Sequence, residues 1–293
     1  MQKDTAKILV LDLQPRNPNE ATKPAELIQI TGHQELTLNA RRAITILWHN
    51  AHMQGMSDRR DYSIELDMLK ADGHKGYGRI EETIIALMRT IITVKMPDGK
   101  TRRVQFLGGN DMDDPDRPAG VLTYSFDRRL IEVLRSSTIW GKIKLPVLMA
   151  FSSKYSVSLY ENIAQWTGLG MKQAHKFTLD QFRDMLGVMP GKYRTFGDLN
   201  KHVVKPAIDE INALAPFSLS VLPMKEGKRV VAVTVMWMAK DAEALQDAFA
   251  EAERPRVGRR ARITGLTENV LPAAPSVQRM LRRDRLTRSS KIS

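Results

Sequence analysis

The spacing of apolar residues predicts helices along much of the chain. In 79–92 the apolar residues recur every three to four positions, which places them on one helix face: Ile80, Ile84, Leu87, Met88 and Ile91. The same spacing predicts further helices at about 37–53, 127–134, 154–166, 178–188, 195–214 and 241–253. Thr178 and Gly187 suit the N-cap and C-cap of the helix between them.

Shorter apolar runs predict strands, and two pairs of these runs form hairpins. Strand-like runs lie on either side of Asp98-Gly99 and again on either side of Glu226-Gly227. A turn dipeptide between two apolar runs is a strong indicator of a β-hairpin. A further strand is predicted at 121–126. Residues 62–66 are predicted to be either a strand or the entry to the next helix.

The order of these elements is that of a winged-helix domain. In the second half three helices precede a hairpin, and the first half shows a looser version of the same order. In a winged helix the third helix faces DNA and the hairpin forms the wing. We therefore predict an α+β fold with two tandem winged-helix domains. The predicted boundaries are 1–34 for an N-terminal arm, 35–141 and 142–253 for the two domains, and 254–293 for a flexible basic tail.

Composition narrows the possible classes of protein. The chain has 293 residues, 42% of them hydrophobic, which suffices for folded cores. No apolar run approaches the roughly 20 residues needed to span a bilayer, so we expect no membrane partner. The absence of cysteine excludes disulfides, thiol catalysis and cysteine-type zinc sites. These features are typical of a cytoplasmic protein.

The net charge of +12 is concentrated at the C-terminal end. Eleven basic and two acidic residues lie in 254–293, so this segment carries +9 of the total. Such a segment commonly binds polyanions, but it can equally be a solvated arm or an arm for a protein partner. Charge alone leaves nucleic acid binding open.

Four stretches of the second half occur together in a known family. They are "KYSVSLYENIAQW", "FTLDQFRDMLGV", "KYRTFGDLNKHVVKPAIDEIN" and "KEGKRVVAVTV", in that order. In these stretches the chain resembles plasmid replication initiators of the iteron-binding Rep superfamily, the RepB-like group. The resemblance covers about 145–240, and it extends more weakly to 35–140, where the layout and "GYGRIEETIIALM" are similar.

The resemblance implies a function and partners. Such initiators are bacterial proteins with two winged-helix domains that bind repeated sites in double-stranded DNA at a plasmid origin. Monomers typically open the origin and help to recruit the host initiator ATPase and the replicative helicase. Dimers, joined through the first domain, typically repress the initiator's own promoter.

The helix predicted at 195–214 carries the strongest candidates for DNA contact. Lys201 and Lys205 lie four residues apart and so share an exposed face. The alternative is an ordinary solvated face, and the winged-helix layout favours DNA. Asp209 and Glu210 would repel phosphates, so we expect contact to end before them. The candidates in and before this helix are Lys192, Tyr193, Arg194, Asn200, Lys201 and Lys205.

Pro206 interrupts the backbone hydrogen bonds of the same predicted helix. It predicts either a kink or a new helix start, because proline lacks an N–H and clashes with the carbonyl four residues earlier. We expect a continuous, bent helix. Either the bend aims the basic half outward, or packing merely tolerates the proline.

The predicted hairpins and the first domain supply further candidates. Basic residues near hairpin tips suit contact with phosphates or the minor groove, although exposed hairpins are often basic for solubility alone. The candidates are Lys100, Arg102 and Arg103 in the first hairpin, Lys225, Lys228 and Arg229 in the second, and Lys75 and Arg79 before the helix at 79–92.

No stretch of the sequence predicts catalysis, a metal site or a cofactor. No His-x-His pair of a rolling-circle nickase is present, and no carboxylate pair stands out as a general acid and base. We therefore predict a non-catalytic DNA-binding initiator. The alternatives are a transcriptional repressor without replication activity and an origin-nicking or recombining enzyme that uses Tyr124, Tyr155 or Tyr160.

Overall fold

The computed structural model describes residues 16–30, 33–56, 61–70, 78–95, 99–114, 120–135, 137–168 and 173–265. The candidate Lys75 and residues 266–293 of the predicted tail lie outside these ranges. Among the helices of the described residues, none has the length and apolar character that a bilayer crossing requires.

The described chain alternates helices and antiparallel strands. The helices are α1 (Ala25–Ile28), α2 (Leu38–Met53), α3 (Gly78–Arg89), α4 (Arg128–Arg135), α5 (Leu145–Ala150), α6 (Lys154–Gly168), α7 (Leu179–Leu186), α8 (Phe196–Leu199), α9 (Lys205–Leu214), α10 (Ala242–Glu253) and α11 (Arg259–Ile263). The strands are β1 (Glu20–Pro24), β2 (Tyr62–Glu65), β3 (Ile91–Lys95), β4 (Thr101–Gln105), β5 (Leu107–Met112), β6 (Val121–Phe126), β7 (Trp140–Lys144), β8 (Ala174–Thr178), β9 (Phe217–Glu226) and β10 (Arg229–Ala239).

The second domain is a winged helix. Its helices α6, α7 and α8–α9 pack on a three-stranded antiparallel sheet with the order β8-β10-β9. The Thr178 hydroxyl accepts a hydrogen bond from the Gln181 backbone N–H, and the Gln181 side-chain oxygen accepts one from the Thr178 backbone N–H, which completes a capping box at the start of α7. Gly187 ends α7 in the left-handed conformation, with φ 70°. Both predicted caps are confirmed.

The first domain has the same sheet order. Its strands run β2-β6-β5, so the last strand lies in the middle and pairs with both others, as in the second domain. Helices α2 and α3 pack on this sheet around an aromatic cluster of Trp48, Tyr62, Tyr124 and Phe126. The predicted α+β fold with two winged-helix domains is therefore confirmed.

The third helix of the second domain is continuous from 196 to 214. Between α8 and α9 the backbone takes one π-helical turn over Asn200–Val204, and the flanking Lys205 stays right-handed, with φ −60° and ψ −49°. A π turn releases a carbonyl from the regular ladder, which relieves the clash that Pro206 would cause. The predicted continuity is confirmed, and the π turn marks where the helix adapts to proline.

Residues 16–30 belong to the folded body, unlike the predicted arm. Strand β1 pairs antiparallel with β7, from Glu20 opposite Lys144 to Pro24 opposite Trp140. The predicted boundary between 141 and 142 therefore lies inside a paired strand. Local sequence hid this strand because Lys23 and Pro24 are unusual in a buried strand.

A buried polar network joins the two domains. The Lys23 ammonium lies 2.7 Å from the Glu161 carboxylate and 2.9 Å from the Thr45 hydroxyl, and the side chains of Lys23 and Glu161 are only 2% and 5% exposed. Burial lowers the pKa of Lys23, while Glu161 opposes that shift. Beside them Arg42 donates hydrogen bonds to the carbonyls of Met149 and Phe151. Elements of both domains therefore share one buried polar network.

The first part of the predicted flexible tail is folded. Arg259 in α11 is 4% exposed, and it donates hydrogen bonds to the Ala150 carbonyl at 2.6 Å and to the Glu251 carboxylate at 3.2 Å. Arg262 also binds Glu251, at 2.7 Å. The prediction is therefore wrong for 254–265, because some of its arginines have carbonyl and carboxylate partners on α5 and α10.

Candidate nucleic-acid interface

The third helix separates a buried face from a basic face. Thr195 caps its start by accepting a hydrogen bond from the Asp198 N–H at 3.1 Å. Leu199 and Val203 are buried in the second-domain core, whereas Lys201 and Lys205 are exposed. The candidate Asn200 is half-buried. The helical spacing therefore places the two lysines together on the outer surface, as predicted.

The loop before this helix is held by a residue that sequence reasoning missed. Arg183 on α7 donates a hydrogen bond to the Tyr193 carbonyl at 2.8 Å and another to the Lys192 carbonyl. Tyr193 has a positive φ of 49°, which is uncommon for a residue with a side chain. The loop therefore has a defined shape, and it exposes Lys192 and Arg194 beside the start of the helix.

A histidine of the third helix also belongs to this surface. The ring of His202 stacks on that of Tyr193, with centroids 5.8 Å apart and planes 22° apart. His202 is exposed and adjacent to Lys201. The sequence offered no sign of the stacking because it depends on the loop conformation at Tyr193.

The acidic residues of the third helix differ in their environments. Glu210 is buried and accepts a hydrogen bond from the Ser152 backbone N–H at 2.5 Å, so it anchors the helix to the segment after α5. The Glu210 carboxylate is therefore held by a partner within the protein, and its repulsion of DNA stays a prediction. Asp209 is half-buried and remains the acidic residue near the basic face.

The hairpin β9–β10 extends from the second domain as a wing. Its tip turns at Gly227, which has a φ of 60°. The residues around the tip are exposed, including the three candidates Lys225, Lys228 and Arg229. The wing therefore presents three positive charges and the negative charge of Glu226 to solvent.

The hairpin predicted as the first wing is a different structure. Strands β3 and β4 pair as predicted, with Ile91 opposite Gln105, but they form a separate two-stranded sheet. Arg102 is 27% exposed and donates to the Arg129 carbonyl at 3.2 Å, and it lies 3.4 Å from the Glu132 carboxylate. Arg102 therefore contacts α4, while Lys100 and Arg103 are exposed.

The strand order identifies β5–β6 as the first wing. These strands occupy the positions that β9 and β10 occupy in the second domain. The described residues at the end of β5 include Asp111, Asp113 and Asp114, which give this wing a negative surface. The candidate Arg79 is exposed at the start of α3. The hairpin predicted as the first wing is therefore not the one that the strand order indicates, since strand order cannot be seen locally. The DNA contacts predicted for Lys100, Arg102 and Arg103 stay predictions.

Comparison with known families gives two matches. Residues 20–164 match the model described as "Initiator Replication protein, WH1", and residues 178–237 match "Initiator Rep protein, WH2". Together the matches cover more than half of the chain. The chain belongs to the initiator Rep family. Its Rep WH1 match runs through β7 and into α6, and so includes the buried network between the domains.

A solved structure agrees with this membership at the level of fold. The Rep chain is similar to a structure described as "Pi initiator protein in complex with iteron DNA", with a TM-score of 0.55. Sequence identity is 17%, and the alignment covers 76% of this chain and 98% of that one. A search of curated proteins gives no match. Residues 254–265 lie beyond both Rep family matches.

Proposed function

We propose that this Rep protein binds repeated sites in double-stranded DNA at a plasmid origin and thereby initiates plasmid replication. The observation that carries the proposal is the exposed basic first half of the third helix, with Lys201 and Lys205 on one face of a winged-helix domain. Membership of the initiator Rep family supports the same conclusion.

In the proposed mechanism the third helix of the second domain lies in the major groove. Asn200, Lys201 and Lys205 reach base edges or phosphates from this helix. Lys192 and Arg194 hold the backbone beside it, and the second wing contacts phosphates or the minor groove through Lys225, Lys228 and Arg229. The free energy of binding then stabilises a distorted origin duplex.

The first domain serves in this proposal mainly for association with a second copy of the chain. The described part of its wing is negative, and Arg102 is engaged with α4, so the described residues offer the DNA backbone less than the second domain does. A dimer formed in this way would repress the protein's own promoter. The host initiator ATPase and replicative helicase are the further partners proposed for a bacterial, cytoplasmic initiator.

The proposed function requires no bond chemistry. Tyr124 is buried and donates a hydrogen bond to the Leu47 carbonyl at 2.6 Å, and burial raises its pKa. Tyr160 is also buried, accepts a hydrogen bond from the Lys144 N–H, and has a pKa raised by burial. A nicking tyrosine needs to reach a phosphate and to lose its proton, which these surroundings disfavour. Tyr155 is half-buried, and burial raises its pKa as well.

Two experiments test the proposal. The gene and its neighbouring DNA repeats are placed on a vector that cannot otherwise replicate in the host. We expect stable transformants, and loss of transformants when Lys201 and Lys205 are both replaced by alanine. Repression of the promoter without transformants would favour the repressor instead.

The second experiment incubates the protein with supercoiled origin DNA. We expect the DNA to stay covalently intact. Nicked DNA, or DNA covalently attached to protein, would contradict the binding-only mechanism and support the nicking enzyme. A Tyr155→Phe variant would then show whether the half-buried tyrosine is the nucleophile.

A further inference from the structure

A basic cleft lies between the third helix and the folded start of the C-terminal segment. It has a volume of about 440 Å³. The third helix lines it with Lys201 and Lys205, and the C-terminal segment lines it with Arg256, Arg259 and Arg260. The acidic residues that also line it are Asp209 and Glu210. Positive charges therefore outnumber negative ones in a cleft that borders the helix assigned to DNA.

The charges of the cleft divide into structural ones and exposed ones. Glu210 is buried against the Ser152 N–H, and Arg259 is buried against the Ala150 carbonyl and Glu251. Arg256 donates a hydrogen bond to the Met149 carbonyl. By contrast, Lys201, Lys205 and Arg260 are exposed, and Asp209 is half-buried. Three exposed cations therefore converge on a space with one partly exposed carboxylate.

The C-terminal side of the cleft is held in a fixed position. The Glu251 carboxylate on α10 forms ion pairs with Arg259 at 3.2 Å and with Arg262 at 2.7 Å. Burial raises the pKa of Glu251, but the hydrogen bonds and charges of Arg262 and Arg259 outweigh burial and lower it. Arg259 also donates to the Arg254 carbonyl at 2.7 Å. Because this segment is already ordered, Arg260 can bind a ligand at a smaller entropic cost than a mobile arm would.

We propose that this cleft binds the DNA backbone at a phosphate next to the bases that the third helix contacts. The proposal rests on the proposed function and extends its DNA interface to 254–265, beyond the Rep WH2 match. The chemistry that the cleft offers is that of a phosphate site, since exposed lysine and arginine side chains are the usual donors to phosphate oxygens. Arg260 is its new residue, and Lys201 and Lys205 are shared with the third helix.

The experiment compares Arg260→Ala with Arg254→Ala. Arg254 belongs to the same segment, but it pairs with Glu251 at 3.3 Å outside the cleft lining. Affinity is measured for a duplex with one repeat and for a scrambled duplex, across a series of salt concentrations. For Arg260→Ala we expect weaker binding to both duplexes, an unchanged preference between them, and a salt slope smaller by about one. Arg260→Lys should restore the slope, and Arg254→Ala should leave it unchanged.

The phosphate itself is located with duplexes that carry one neutral methylphosphonate at a time. At one position beside the repeat, the methylphosphonate should weaken DNA binding by the wild type. The same methylphosphonate should not weaken binding by Arg260→Ala any further. The proposal would be overturned if the losses of affinity from Arg260→Ala and from the methylphosphonate were additive at every position. An unchanged salt slope in Arg260→Ala would also overturn it. Binding of inorganic phosphate at the cleft with no effect of Arg260→Ala on DNA would assign a free anion instead. A wild-type protein without preference for the repeat would contradict the proposed function, and the slope on scrambled DNA would still decide the cleft.

Discussion

The two domains have the same sheet order and opposite wing charges. The second wing presents Lys225, Lys228 and Arg229, whereas the described part of the first wing presents Asp111, Asp113 and Asp114. Buried positions fix the fold in both halves, while exposed positions on the wings are free to diverge. A shared winged-helix topology therefore does not imply a shared interface, and the contacts with DNA have to be argued residue by residue.

The largest effect on stability is expected from the buried network of Lys23, Thr45 and Glu161 between the two domains. Disrupting it tests whether the domains unfold as separate units. Glu161→Gln should lower the free energy of unfolding by about 3–5 kcal/mol, because it leaves the buried Lys23 without its charged partner. Urea denaturation followed by tryptophan fluorescence measures the loss, since Trp48 and Trp237 lie in different cores. We expect one shared transition.

The matched control is the more exposed pair of Arg102 and Glu132, whose side chains are 27% and 50% exposed. Glu132→Gln should cost under about 1 kcal/mol, as exposed ion pairs contribute little. Equal losses of unfolding free energy in the two variants would contradict the proposal that the buried network couples the domains. Two separate unfolding transitions in the wild type would contradict it as well.

The comparison between domains predicts unequal effects on DNA binding. Lys201→Ala should weaken specific binding by about 1–3 kcal/mol if the side chain contacts a base. Arg103→Ala, an exposed residue of the β3–β4 hairpin, should change it little. Equilibrium binding to repeat and scrambled duplexes measures both. An equal loss on the scrambled duplex would make Lys201 a phosphate contact, and a larger loss for Arg103→Ala would reverse the assignment of the domains.

Helix caps allow the stability of the two domains to be compared locally. Thr178→Ala removes the hydroxyl that accepts the Gln181 N–H on α7 but keeps the backbone N–H that donates to the Gln181 side chain, and Thr37→Ala removes the single side-chain bond that caps α2. Each substitution deletes one cap hydrogen bond, so each should cost about 0.5–2 kcal/mol, and the two losses should be similar. Thermal unfolding by circular dichroism provides the measurement. A clear difference between the two losses would show that the deleted cap hydrogen bond is not what sets the cost.

The wings are expected to give the smallest effects. Lys228→Ala should lower the slope of log affinity against log salt by about 0.9, the value for one phosphate contact. Asp111→Asn in the first wing should leave the slope unchanged or strengthen binding slightly, by removing the negative charge of an exposed side chain. A loss of affinity in Asp111→Asn would place the first wing on the DNA through polar contacts.

Periodicity predicted the helices well and the sheet connections poorly. The buried stripe of the third helix could be predicted because Leu199, Val203, Ile211 and Leu214 recur at helical spacing. Strand β8 was missed because it is almost wholly exposed and gives no alternating pattern. It is a strand only because β10 pairs with it, from Ala232 opposite Thr178 to Met236 opposite Ala174.

The candidate site was predictable to a similar extent. The basic face of the third helix follows from spacing, and Lys201 and Lys205 are exposed as expected. Arg183, His202 and Arg260 were missed, because each joins the surface through tertiary contacts rather than through a motif. Glu210 was given the wrong environment for the same reason, since its partner Ser152 is distant in sequence.

The pairing of β1 with β7 has a consequence for how the chain can fold during synthesis. Residues 20–24 leave the ribosome long before their partners at 140–144. Strand β1 therefore stays unpaired while the whole first winged helix is synthesised. It can pair with β7 only just before synthesis of the second winged helix. Fragments cut between 141 and 142 would leave an open strand edge on both pieces, which favours aggregation. We therefore expect a fragment of the second domain to be more soluble when residues 20–24 are supplied as a separate peptide.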